Sequence, residues 1–150
     1  MAVEKLVKGT ELVLEASGAS ISDGAWIEAN DDDRQPADDA GFPLGIFEFD
    51  ATGTFSVAPT AGAILELYEQ KINSNSQDTP NPVDTNYPGD LLYTFRIDDS
   101  DVAQYHVSDP VPIAIDGGKY WLRWVDGGAG TASISSTWDL RMTPCQWDIS

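Results

Sequence analysis

From Lys119 to Pro144 apolar and polar residues alternate with the two-residue period of an extended chain, and no other stretch limits the possible folds so tightly. Along Lys119–Asp126, Tyr120, Leu122 and Trp124 share one face, while Trp121, Arg123 and Val125 share the other. Gly127, Gly128 and Gly130 follow and accept the positive φ of a tight connection. Beyond them Ala132, Ile134, Ser136, Trp138, Leu140 and Met142 alternate with Ser133, Ser135, Thr137, Asp139 and Arg141. The pattern predicts a β-hairpin with one buried and one wet face. A sheet covered on one side needs a second layer, so a sandwich or barrel follows rather than a helical bundle.

At 150 residues the chain suits one domain, read as an N-terminal arm over 1–10 and a β-domain over 11–150. The arm carries Lys5 and Leu6, and it either frays or pairs with a neighbouring subunit. Ser17 to Ile27 reads as two short strands about a turn at Asp23-Gly24, and Asn30–Gly41 as an acidic, Pro-broken loop. Leu44–Val57 is extended, bends at Ala51-Thr52-Gly53, and is expected to form a hairpin with Ala63–Ile72 across Pro59–Gly62. Ala, Leu, Glu and Gln in that second arm also favour helix, but the turn before it favours strand. Asn73–Asp90, which includes Tyr87, is a long polar loop. Leu91–Ile97 and Gln104–Val107 resume strand, and Pro110 and Pro112 confine Val111–Ile115 to an edge. Gln146–Ser150 reads as a tail.

A net charge of −17 repels a phosphate backbone and an anionic membrane surface, so nucleic acid and lipid are poor partners. The single cysteine, Cys145, permits neither an intrachain disulfide nor a thiolate metal cluster. No signal-peptide core or apolar span is evident, which predicts a soluble protein made and kept in the cytosol unless released by lysis. Phosphate loops, nucleophile elbows and Cys–His pairs are absent, and His106 stands alone, so no enzyme is expected. Calcium is the one metal to weigh. Asp31, Asp32, Asp33, Asp38 and Asp39, and separately Asp98, Asp99 and Asp101, offer hard oxygen ligands, Asp31, Asp33, Asp99 and Asp101 being the candidates. Neither spacing is that of an EF-hand, and solvated turns explain both runs. Of the tryptophans, Trp124 and Trp138 fall on buried faces, whereas Trp121 beside Arg123 faces solvent, a sugar or another subunit.

Ile21–Trp26, Ala58–Tyr68, Tyr87–Phe95, Pro110–Ile113 and the closing Leu140–Pro144 resemble, in their order along the chain, a family of small β-rich structural proteins of tailed-phage virions, of the head-decoration or cement type. The chain departs from that pattern at Ala51-Thr52-Gly53 and in its acidic 30–41 segment. The resemblance implies a β-sandwich without catalysis, present in many copies on a particle surface. Together these readings predict an all-β, single-domain antiparallel β-sandwich, jelly-roll-like, of about eight strands. Its expected partners are the major capsid protein and itself, as a homotrimer, on the virion head. The arm with Lys5 and Leu6, the loop with Tyr87, and Trp121 with Arg123 form the expected interfaces. A tail or baseplate component and a carbohydrate-binding module are the alternatives.

Overall fold

The computed structural model describes residues 4–34, 41–53, 55–71, 89–114, 117–128 and 132–149, and among these it holds ten strands and no helix. They are β1 (Glu4–Lys8), β2 (Leu12–Gly18), β3 (Trp26–Arg34), β4 (Leu44–Ala51), β5 (Ile64–Lys71), β6 (Asp90–Arg96), β7 (Gln104–Val107), β8 (Val111–Pro112), β9 (Gly118–Val125) and β10 (Trp138–Ile149). In one sheet β10 and β4 lie at the centre, with β1 and β2 sharing the outer edge of β10, and β7 and β8 sharing that of β4. The other runs β3-β9-β5-β6. Stripped of β1 and β8, the orders β2-β10-β4-β7 and β3-β9-β5-β6 are those of an eight-stranded jelly roll, as expected.

Strand patterning places the core. Along β9 the inward residues Gly118, Tyr120, Leu122 and Trp124 are buried and the outward ones half-buried, and β4 alternates in the same way. Phe47 of β4 packs on Tyr120 of β9 and Phe49 of β4 on Phe95 of β6, joining the two layers, while Phe49 also meets Trp138 within its own sheet and Phe55 packs on Trp124. Both enclosed indoles are satisfied: Trp124 Nε1 donates to the Ala132 carbonyl and Trp138 Nε1 to that of Ala19, each at 2.7 Å.

The expected hairpin over Lys119–Pro144 is not one. β9 pairs with β3 and β5, while β10 pairs with β1, β2 and β4 in the opposite sheet. Gly127 and Gly128 do take positive φ, 76° and 56°, but the chain there crosses from layer to layer instead of reversing within one. Alternation reports which side of a strand is buried, and both arrangements bury the same side. The alternation also lapses before β10, where Ser136 is exposed and Thr137 has φ 76°.

The second expected hairpin fails for the same reason: β4 and β5 lie in different sheets, and β5 pairs with β6 and β9. Strand is right over Ile64–Lys71. Of the two short strands expected around Gly24, only β3 forms, Ile21 making an isolated bridge to Ile134. β3 runs on through Asp31, Asp32 and Asp33 to Arg34, so these residues are strand rather than loop, held in an irregular stretch between the β9 pairings of Ala29 with Tyr120 and Arg34 with Gly118. The supposed tail belongs to β10, and Glu4–Lys8 pairs antiparallel with its last residues, so the arm's partner lies in its own chain.

Candidate functional site

Because β9 is flanked by β3 and β5, their outward residues fall into rows across the second sheet. Trp26, Arg123 and Glu66 form one row, and Glu28, Trp121 and Tyr68 the next. The Trp26 and Tyr68 rings meet across β9 with centroids 4.8 Å apart, and the Arg123 guanidinium carbon lies 5.3 Å from the centre of the Trp26 ring. Arg123 Nη1 is 3.8 Å from Glu66 Oε1, and the Tyr68 hydroxyl donates to Glu66 Oε2 at 3.2 Å. Burial raises the Tyr68 phenol above its ordinary value, the Glu66 charge and hydrogen bond add to this, and Arg123 partly offsets it. Lys119 Nζ lies 3.1 Å from Glu28 Oε1, and Trp121 Nε1 donates to Gln70 Oε1 at 3.3 Å. Two cations thus meet two anions on a floor of rings. The result is a locally neutral aromatic platform suited to stacking and shape contact.

Trp121 and Arg123 therefore meet here, together with Trp26 and Tyr68, which the sequence did not single out. Lys5 and Leu6 do not join them. They lie on β1 in the other sheet, where Leu6 is registered opposite Trp147 and Lys5 opposite Asp148. β4 ends its pairing at Cys145↔Leu44, so among the described residues Gln146–Ile149 pairs with β1 alone. A two-stranded ribbon projects there, with Trp147 53% exposed. Cys145, at the root of the ribbon, is fully enclosed; burial raises its thiol pKa and Lys8 works against that rise. Tyr87 lies outside the described residues.

Asp99 and Asp101 are exposed in the turn after β6. Buried Gln104 organises that turn, accepting from the Asp98 amide at 3.0 Å and donating to the carbonyls of Asp98 and Ser100. Asp31 and Asp33 sit on edge strand β3, away from the expected loop. Among the described residues no three His, Cys, Asp or Glu side chains are grouped to hold a metal ion. His106, on β7, contacts Gln104 Oε1 at 2.8 Å; burial lowers its pKa and Asp98 partly restores it.

A pocket of about 330 Å³ opens where the ends of β5 and β6 approach β8, lined by Glu69, Leu91, Leu92 and Ile113 among others. Sequence reading passed over it because Glu69, its buried polar residue beside Lys71 and Asp90, is an inward-facing acid within an otherwise ordinary strand. No protein-family profile matches the chain, and no curated protein is similar to it.

Proposed function

We propose that this chain is a bacteriophage virion structural protein, a capsid decoration protein that binds and reinforces the outer surface of the head. Its partners in this reading are the major capsid protein and two further copies of itself, assembled after synthesis in the host cytoplasm. The observation that carries the proposal is the ribbon of β1 and Gln146–Ile149, which offers Leu6, Trp147 and Lys5 beside strand edges that pair with no further strand among the described residues. A strand edge with an aromatic anchor is a means of holding a preformed lattice through contact alone. The surrounding charge of −17 keeps such an edge from self-association at random.

Electron microscopy of heads lacking the protein, before and after its addition, tests the reading. Density at symmetry-related sites on the head is the expected result, and bare heads at saturating protein would sink it. Density confined to the tail would support the baseplate alternative. The aromatic platform of Trp26, Tyr68 and Trp121 favours carbohydrate binding as a second reading, which a glycan array comparing wild type with Trp121→Ala examines.

A further inference from the structure

Charge is spread unevenly between the two outer faces of the sandwich. Register sets Val125, Ile64 and Arg96 in a row next to that of Trp26, Arg123 and Glu66. Across the β3-β9-β5-β6 face three cations, Lys119, Arg123 and Arg96, therefore stand against two anions, Glu28 and Glu66. In a chain of net charge −17 this is a near-neutral island. On the opposite face Arg141 stands against Glu48, Asp50 and Asp139.

The near-neutral face is also prepared for contact. Its ion pairs are already largely out of water, Lys119 and Glu28 keeping 14% and 25% of their side-chain surface and Arg123 and Glu66 33% and 16%. Covering them adds little to a desolvation cost that folding has already met. Hydrogen bonds from Tyr68 to Glu66 and from Trp121 to Gln70 hold the rings before anything docks, so less side-chain freedom is lost on association. Trp, Tyr and Arg are the residue types that carry most of the binding energy at protein contacts.

We propose that copies of this chain meet one another through this face, with the Trp26, Tyr68 and Trp121 rings at the centre of the contact. A cationic partner would be drawn to the acidic sheet instead. A second copy is itself an anion, and of the two sheet faces, among the described residues, only this one does not set net negative charge against net negative charge. The assignment rests on the self-association proposed for the virion protein and supplies the surface that performs it.

Sedimentation of the full chain in the absence of heads is the test. The wild type should form a discrete assembly of more than one chain at about 100 µM. Trp121→Ala should weaken that assembly at least about tenfold, as for loss of an aromatic anchor. Thr94→Glu, which adds a charge to the same face on edge strand β6 and removes no ring, should weaken it too. Val107→Glu, which puts that charge on exposed edge strand β7 of the opposite sheet, should leave it unchanged. Melting followed by circular dichroism separates an unfolded variant from a dissociated one. An assembly that survives both Trp121→Ala and Thr94→Glu overturns the surface assignment alone, whereas a wild type that stays a single chain overturns the self-association with it. Glycan binding that Trp121→Ala abolishes while the assembly persists gives the face to sugar and overturns the proposal.

Discussion

The outer faces of the two sheets meet solvent in different ways. On the β3-β9-β5-β6 sheet the Trp26 and Tyr68 rings meet, Trp121 is registered between Glu28 and Tyr68, and Arg123 and Lys119 are matched by Glu66 and Glu28. On the β2-β10-β4-β7 sheet, Tyr105 and Val107 stand 57% and 47% exposed on the edge strand beside Glu48 and Asp50. Arg141 there is 3.5 Å from Asp139 and 3.9 Å from Glu11. Partial burial raises the Tyr105 phenol, with the hydrogen bond to Glu48 and nearby carboxylates adding to it. One face is a packed third layer over the sandwich; the other is a wet acidic surface. Charge composition alone, uniform along much of the chain, does not distinguish them. The alternation of large rings with charges on neighbouring strands does.

Substitutions on each face can break this contrast. Trp26→Ala should cost the most, about 2 kcal/mol in chemical denaturation, below the roughly 3–5 kcal/mol of a fully enclosed tryptophan because its side chain is only partly buried. A double-mutant cycle on Arg123 and Glu66 should return a coupling of about 0.5 kcal/mol, the range of a partly screened pair. Tyr105→Ala should change stability by less than about 0.5 kcal/mol. A Tyr105 effect equal to that of Trp26 would show the two faces to be alike. The smallest expected effect is a pH dependence. Burial lowers the His106 pKa in the folded state, so the unfolded chain takes up its proton first. Stability should be full above about pH 6.5 and fall as pH drops below it, until the folded state also protonates. His106→Gln should flatten that part of the stability profile relative to wild type.

Much of the architecture was legible in the residues. Two-residue alternation in Tyr120–Trp124 and the apolar side of Trp138–Met142 identified strands and their buried faces, and both indoles assigned to the core are fully enclosed. Pairing was not legible, because turn residues such as Gly127 and Gly128 permit a sharp bend without saying whether it stays in one sheet. Apart from β5 and β6, which pair with each other, the long strands of the jelly roll leave their sequence neighbours for the opposite layer, and that choice is made by packing between distant segments. Asp31–Asp33 misled through propensity, and Gln146–Ile149 through proximity to the chain end, where β1 supplies a partner more than a hundred residues away. The platform was half visible: Trp121 and Arg123 could be nominated from one strand, whereas Trp26 and Tyr68 come to them only through register. Glu69 gave no signal, since acids are common in this chain and its burial depends on Tyr120 and Gly118 opposite.

Trp147→Ser tests most directly the proposal that the β1–β10 ribbon binds the particle. Trp147 is already half in water, so the variant should melt with the wild type, while its occupancy on heads, read by co-sedimentation, should fall at least about tenfold as for loss of an aromatic anchor. Undiminished occupancy by a folded Trp147→Ser protein would contradict it.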